Sequence, residues 1–147
     1  MASTPPRPLV VLRLGKLIAM ALAGHDLTEN QYRALAFIDE GDVDPAEMSV
    51  RLVMKRPNLT TLLDGLERRG LVERTRRTED RRRIELRLTP SGSSLLDDAT
   101  RSANDALTRL ARLGAGPAHD RLAGLDTWAE AVEEAAAILR ASSGDAS

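Results

Sequence analysis

The stretch RPNLTTLLDGLERRGLVERT, residues 56–75, contains the change of hydrophobic period that decides the fold. Its leucines recur at spacings of three and four up to Leu66, which predicts an amphipathic helix that begins near Pro57 and stops at Gly70. From Leu71 apolar and polar residues alternate nearly in step, a period of two that predicts a β-strand. A helix followed directly by a strand is therefore expected here.

A second alternating stretch follows, and the two together predict a hairpin. Residues 84–88 alternate as residues 71–75 do, and the segment 76–83 between them is polar and charged throughout. We therefore expect an antiparallel pair of strands with an arginine-rich tip. Thr89 and Pro90 then provide the start signal of a long helix with a near-heptad apolar stripe.

Upstream of this stretch, the start signals of two further helices are present. Thr28 with Gln31 forms a capping box, and Asp44 with Pro45 supplies a capping residue followed by proline at the first helical position. We expect the helix that starts at Pro45 to end near Val53. Two short helices joined by a tight turn form a helix-turn-helix, and the hairpin behind them gives the order of a winged helix-turn-helix.

The ends of the chain are also predicted to be largely helical. Residues 9–23 carry apolar side chains on nearly every face, and residues 118–140 carry an apolar stripe that includes Trp128. Such helices need packing partners beyond one neighbour. The sequence thus predicts a mainly α fold with a small β-hairpin wing, in which a winged helix-turn-helix is flanked by helices.

Composition excludes several classes of site. The chain has 147 residues, 42% of them hydrophobic and 29% charged, and it contains no cysteine, which removes disulfides, cysteine nucleophiles and thiolate metal sites. Its two histidines, His25 and His119, give no metal-ligand spacing. No acid–base dyad or glycine-rich phosphate loop is evident in the sequence, so we expect no enzyme, no cofactor and no metal.

The sequence also carries no sign of a membrane segment. No uncharged apolar run approaches the roughly 18 residues that a membrane span needs. The N-terminus, with three prolines in residues 1–8 and charges at Arg13 and Lys16 beyond them, makes a poor signal peptide. We therefore expect a cytoplasmic protein.

The formal net charge of −1 hides a strong segregation of charge. Between Arg51 and Arg87 there are twelve basic and six acidic residues, a balance of +6, so the rest of the chain carries −7. Arginine and lysine gain affinity for DNA by displacing counterions from phosphates, and the basic segment therefore fits nucleic acid as a partner. A merely solvated charged face is the alternative that charge alone leaves open.

The expected DNA-binding residues lie at the start of the second helix of the helix-turn-helix and in the hairpin. The major groove presents base edges with a distinguishable hydrogen-bonding pattern, and the N-terminal residues of such a helix reach furthest into it. The candidates in the helix are Lys55, Arg56, Pro57, Asn58, Thr60 and Thr61, and those in the hairpin are Arg76, Arg77, Arg81, Arg82 and Arg83. Asp80 is expected to orient a neighbouring guanidinium, because phosphates repel a carboxylate.

Three motifs, taken in order, resemble the MarR family of bacterial transcriptional regulators. They are LLDGLERRGLVER at residues 62–74, EDRR at residues 79–82 and LRLTPSG at residues 86–92. Helix order and length extend the resemblance from about Leu9 to Leu139. The resemblance implies a homodimer whose two winged lobes bind a pseudo-palindromic operator in double-stranded DNA, with repression of transcription as the usual outcome.

The resemblance also implies residue roles and a mode of regulation. Carried over by position, Arg56, Asn58, Thr60 and Thr61 match the family's major-groove contacts, and Arg82 matches its minor-groove arginine. Many members release DNA when a small phenolic or other anionic effector enters a pocket between the dimerisation and DNA-binding regions; the effector residues stay unassigned here. The lack of cysteine excludes the peroxide-sensing subclass, and two histidines argue against the zinc-sensing one.

The domain organisation implied by pattern and resemblance has four parts. They are a flexible N-terminal arm at 1–8, a helical dimerisation region at 9–26 and 90–141, a winged helix-turn-helix DNA-binding lobe at 27–89 and a disordered tail at 142–147. The alternative function is a winged-helix protein–protein interaction module without sequence-specific DNA binding. Such a module would use the basic lobe to hold an acidic partner.

Overall fold

The computed structural model describes residues 7–41, 44–76, 84–113, 124–128, 131–132 and 134–135. The chain divides into two compact units, residues 1–106 and 107–147. The elements in chain order are α1 (Arg7–Ala23), α2 (Glu29–Asp39), α3 (Pro45–Arg51), α4 (Arg56–Arg68), β1 (Val72–Arg76), β2 (Ile84–Leu88) and α5 (Pro90–Leu113). This order of helices followed by a two-stranded antiparallel hairpin confirms the predicted mainly α, winged helix-turn-helix fold.

The predicted helix starts are confirmed at α2 and α3. Thr28 accepts a hydrogen bond from the Gln31 backbone N–H, and the Gln31 side chain accepts one from the Thr28 backbone N–H, which completes the capping box. The Asp44 carboxylate accepts a bond from the Ala46 backbone N–H, and Pro45 occupies the first helical position.

The hairpin forms where the change of period predicts it. Val72 pairs with Leu88 and Arg74 with Leu86, so side chains two residues apart share one face of the ribbon. Val72 and Leu86 are buried on that face, whereas Glu73 is exposed on the other. The predicted arginine-rich tip, from residue 77 to 83, lies outside the described residues.

One hydrophobic core joins α2, α3, α4, the hairpin and the first half of α5. Leu59, Leu63 and Leu66 of α4 are buried, and Leu62 is packed at the edge, as the spacing of these leucines predicts. The other buried members include Leu22, Leu27, Leu35, Phe37, Ile38, Met48, Leu52, Leu71, Val72, Leu86, Leu96 and Ala99. The lobe therefore holds α4 by its inner face and leaves the outer face to solvent.

The base of the hairpin is tied to the start of α5 at very close range. The Thr89 backbone N–H donates to the Leu71 carbonyl, and the Thr89 hydroxyl donates to the Gly70 carbonyl while accepting from the Gly92 backbone N–H. Gly70 ends α4 with φ +69, a conformation that glycine adopts without strain. Helix α4, strand β1 and helix α5 thus meet in one hydrogen-bonded junction.

Two side-chain hydrogen bonds attach α5 to the helices before it. Tyr32 Oη lies 3.0 Å from Thr100 Oγ1, and His25 Nε2 lies 2.7 Å from Ser102 Oγ. His25 therefore links the turn after α1 to α5. Within the described residues, no helix is long and apolar enough to cross a membrane.

Two boundaries differ from the sequence predictions. Helix α1 begins at Arg7, so Arg7 and Pro8 of the predicted flexible arm are helical, because proline fits the first turn of a helix. Helix α3 ends at Arg51, two residues before the predicted Val53. Of the predicted last helix, residues 124–128, 131–132 and 134–135 are described and helical; residues 1–6 and the tail at 142–147 lie outside the described residues.

Val53 explains why α3 ends early. Its backbone has φ +51, in the left-handed region that a β-branched residue rarely occupies, and this conformation turns the chain from α3 towards α4. Its side chain is 74% exposed and so gains little from burial. The turn of the helix-turn-helix is therefore held in place by its neighbours at the expense of local strain.

We expect Gly92→Ala to lower the free energy of unfolding by about 3 kcal/mol, because an alanine Cβ would overlap the Leu71 carbonyl oxygen and lie 2.9 Å from its carbon. Urea denaturation measures this loss. Gly65→Ala, a helical position with nothing within 4 Å of the added Cβ, is the control and should raise stability by up to about 1 kcal/mol. A tolerated Gly92→Ala would contradict the close approach.

Val53→Gly should raise the free energy of unfolding by about 1 kcal/mol, because glycine removes the strain of the left-handed conformation. Val50 is the matched control, since it is 54% exposed but lies within α3. Val50→Gly should lower stability by about 0.5 kcal/mol through lost helix propensity. Thermal denaturation measures the stability of both variants. A loss of stability in Val53→Gly as well as in Val50→Gly would contradict this account of the turn.

Candidate nucleic-acid interface

The first two turns of α4 bring the candidate side chains of the helix-turn-helix together on one exposed surface. Leu59 points into the core, and its neighbours on the outer faces are all exposed. The exposed set is Lys55, Arg56, Pro57, Asn58, Thr60 and Thr61, which are the residues that the sequence singles out in this helix. No buried side chain needs to move before this surface meets a partner.

Most of the described cations of the basic segment have partners among the described residues. Arg51 pairs with Glu40 at 3.0 Å and stacks over Phe37, and Arg87 pairs with Glu85 at 2.8 Å. Arg68 and Arg69 donate to the backbone carbonyls of Asp64 and Asp26, and Arg74 pairs with Asp64 and Glu67. The ion pairs offset the charge of Arg51, Arg74 and Arg87, so the positive charge counted along the sequence overstates what is available to DNA.

Lys55 and Arg56 differ from those cations. Among the described side chains between residues 51 and 87, they are the cations without a hydrogen bond or ion pair to another described residue. Both stand at the start of α4, where the helix dipole adds positive potential. Two cations without any such partner therefore stand together at the start of α4.

That helix end also lacks a side-chain cap. Lys55 occupies the N-cap position of α4 and its side chain makes no capping bond, whereas Thr28 and Asp44 cap α2 and α3. Pro57, in the first turn, has no backbone N–H to satisfy. An uncapped N-terminus with two free cations is suited to a phosphate oxygen.

The hydroxyls of Thr60 and Thr61 are bonded back to their own helix. They donate to the carbonyls of Arg56 and Pro57 at 3.1 and 3.0 Å. A phosphate oxygen needs a donor, and these hydrogens are in use, so their methyl groups and lone pairs are what the two threonines offer a partner. Contact with a thymine methyl fits this arrangement better than a bond to phosphate.

The predicted hairpin contacts lie mostly outside the described residues. Arg76 ends strand β1, and nothing is described of its side chain. Arg77, Asp80, Arg81, Arg82 and Arg83 fall in the undescribed segment between the strands. The structure thus brings together the α4 candidates, and the roles of the hairpin residues stay predictions.

Sequence reasoning missed Arg74. This side chain lies on the inner face of β1 and reaches Asp64 Oδ1 at 2.5 Å and Glu67 Oε2 at 3.5 Å on α4. The sequence does contain a signal. Asp64 and Glu67 stand three residues apart and so share one helix face, and Arg74 stands two residues from Val72 and so shares its face of the strand. Partners ten residues apart in different elements cannot be chosen from spacing alone, because several nearby cations compete.

The described residues contain no group of three or more side chains suited to a metal ion. One open cavity of about 400 Å³ lies between the end of α1, the start of α2 and the end of α4. Its lining residues are Ala23, Asp26, Leu27, Thr28, Gln31 and Arg69. None of these lining residues belongs to the exposed set at the start of α4.

Comparison with known proteins identifies relatives of this lobe. A model of the MarR family matches residues 25–83. The HTH-type transcriptional repressor YetL of Bacillus subtilis (strain 168) is 37% identical over 78 residues, which cover 51% of this chain and 47% of YetL. The homoprotocatechuate degradative operon repressor of Escherichia coli is 32% identical over 87 residues, which cover 58% of this chain and 59% of that protein.

The match to these two proteins spans about half to three-fifths of their length. A solved structure extends the likeness over most of the chain. The transcriptional repressor CouR, bound to a 23-mer DNA duplex, is 31% identical with a TM-score of 0.70, and the match covers 85% of this chain and 88% of CouR. Together with the winged helix-turn-helix order and the family model, this match establishes that the chain belongs to the MarR family.

Proposed function

We propose that this protein is a sequence-specific DNA-binding transcriptional regulator that acts as a homodimeric repressor on a pseudo-palindromic operator. The observation that carries the proposal is the exposed start of α4, where Lys55 and Arg56 have no partner among the described residues and Asn58 stands beside them. The DNA duplex bound to CouR supports the same class of partner. As a repressor in a bacterium it would work in the cytoplasm.

In this proposal α4 is the recognition helix and lies in the major groove. Lys55 and Arg56 at its positive end contact phosphate or guanine, and Asn58 reads adenine through a bidentate pair of hydrogen bonds. Thr60 and Thr61 present methyl groups to thymine. Arg76, Arg77, Arg81, Arg82 and Arg83 of the wing contact the backbone or the minor groove, and Asp80 orients one of these guanidinium groups.

Two recognition helices are needed to span a pseudo-palindromic operator, since its half-sites lie about 34 Å apart. The exposed apolar surface of α1 supports a second copy of the chain as its partner. Val11, Leu12 and Met20 are 67%, 71% and 61% exposed, and exposed large apolar side chains gathered on one helix support an interaction surface. An isologous contact between two α1 surfaces satisfies both copies at once.

Release by a small effector is the last part of the proposal. The open cavity of about 400 Å³ beside Arg69 has a size suited to a small aromatic acid, and the guanidinium supplies a positive charge for an anion. A ligand that favours another spacing of the recognition helices by about 1 to 3 kcal/mol weakens DNA binding by roughly 5- to 150-fold. Titration of small phenolic acids into the protein–DNA complex tests this part.

The experiment that tests the DNA-binding function starts from a random pool of 30-base-pair duplexes. The protein selects duplexes from this pool, and fluorescence anisotropy then compares one selected duplex with a scrambled duplex at two salt concentrations. We expect a preference of about a thousandfold or more. Weak binding to both duplexes, with equal salt dependence, would favour the alternative of a module that holds an acidic protein.

Asn58→Ala should weaken binding to the selected duplex by about 1 to 3 kcal/mol and change binding to scrambled DNA little, because the asparagine reads a base edge. Arg82→Ala is the contrasting variant. It should weaken both complexes and reduce the salt slope by about one, as expected for a lost charge contact. Equal losses on both duplexes for Asn58→Ala would contradict its base-reading role.

Leu12→Glu should convert the protein from dimer to monomer, because it places a charge in the exposed apolar surface of α1. Sedimentation equilibrium measures the mass, which for the wild type is expected to be twice that of the chain. Val50→Glu makes the same kind of change at an exposed apolar position of α3, so it is the control and should remain a dimer. A wild-type monomer, or a Leu12→Glu dimer, would remove α1 from the proposed interface.

A further inference from the structure

The ion pairs of Arg74 connect the wing to α4. Its guanidinium Nη2 lies 2.5 Å from Asp64 Oδ1 and its Nε lies 3.5 Å from Glu67 Oε2. Asp64 and Glu67 are three residues apart and therefore share one face of α4. One planar guanidinium thus spans two carboxylates through different nitrogens, a geometry that lysine, with a single ammonium, does not reproduce.

The placement of Arg74 argues against a direct contact with phosphate. Its side chain is 28% exposed, and it lies on the inner face of the hairpin with buried Val72. Two carboxylates already neutralise its charge. An arginine that served DNA from this position would have to leave both of them and expose its buried stem, whereas Lys55 and Arg56 have no partner among the described residues to leave.

The two carboxylates are unfavourable where they stand unless Arg74 pairs with them. Asp64 and Glu67 lie in the C-terminal half of α4, where the helix dipole repels negative charge. They also add negative charge to the lobe that we propose meets a polyanion. Replacing both carboxylates by neutral residues would relieve the repulsion from the helix dipole and the repulsion from DNA. We therefore look for another role for Asp64 and Glu67.

The ion pairs of Asp64 and Glu67 with Arg74 fix strand β1 at a second place along its length. The base of the hairpin is held by the bonds of Thr89 to Gly70 and Leu71. Arg74 lies three residues beyond Leu71, which is about 10 Å along a strand. A strand that is held at its base and again about 10 Å further along has its direction fixed relative to α4.

We propose that Arg74 is a positioning residue for DNA binding, which sets the direction of the wing relative to the recognition helix through its ion pairs with Asp64 and Glu67. The inference rests on the proposed DNA-binding function. With the wing held, its arginines and the base-reading residues of α4 engage the same duplex at the same time. Without the ion pairs, the wing samples other directions and its phosphate contacts are lost.

Positioning and simple electrostatics predict opposite changes in DNA affinity for the substitution Asp64→Asn. Asp64→Asn removes a negative charge from a DNA-binding lobe with little change of shape, and charge alone therefore predicts tighter binding. Loss of positioning predicts weaker binding. Glu73→Gln makes the same change of charge on the exposed face of β1, where Glu73 has no bond to any described side chain, and it is the matched control.

The test measures anisotropy of the selected duplex over a series of salt concentrations for the wild type and for Asp64→Asn, Arg74→Gln, Arg74→Lys and Glu73→Gln. We expect Asp64→Asn and Arg74→Gln to bind about 5- to 30-fold more weakly, Arg74→Lys to be intermediate and Glu73→Gln to bind as tightly as the wild type or more tightly. The salt slope of Asp64→Asn should fall by about one or two, because wing contacts disengage.

Circular dichroism measures how much of each variant is folded. Titration with duplex at concentrations well above Kd measures the fraction of protein that can bind DNA, and the two together separate positioning from loss of folded protein. A merely structural role would lower the active fraction and leave the salt slope of the remaining protein unchanged, which would overturn the proposal. Asp64→Asn binding that equals or exceeds that of Glu73→Gln would overturn it as well. If the wild type itself fails to prefer the selected duplex, the proposed function fails first, and the positioning role falls with it.

Discussion

The junction between Leu71, Thr89 and Gly92 is the constraint on which the rest of the lobe depends. Only a residue without a side chain lets the first turn of α5 approach the Leu71 carbonyl so closely. The bonds of Thr89 then fix the end of α4, the base of β1 and the start of α5 together. The hydrophobic core that spans the helices and the hairpin therefore closes around a backbone contact, and α4 presents its outer face in a defined direction.

Charge in this lobe has two distinct uses. Most of the described cations of the basic segment bind carboxylates or backbone carbonyls and hold elements together, as Arg51 does for α2 and α3. Lys55 and Arg56 have no such partner among the described residues and stand at the start of α4. Counting charge along the sequence cannot separate the two groups, because the distinction depends on which side chains the fold brings into contact.

The parts of the fold that local chemistry governs were predictable from the sequence. The capping box at Thr28, the buried leucines of α4 and the paired strands follow from spacing and residue type over a few positions. The left-handed conformation of Val53 and the pairing of Arg74 were not predictable, because each is imposed by packing between elements. The α4 candidates were predicted by residue type and position in the motif; their common exposure, and the lack of described partners for the Lys55 and Arg56 side chains, became visible only in three dimensions.

Val53 has a consequence for how this lobe varies. Valine and glycine codons differ at their second base, so a single nucleotide change would relieve the strain of its left-handed backbone. Substitutions that relieve such strain are among the stabilising changes that natural proteins commonly leave unused. The turn between α3 and α4 therefore offers one mutation that could offset a destabilising change elsewhere in the chain.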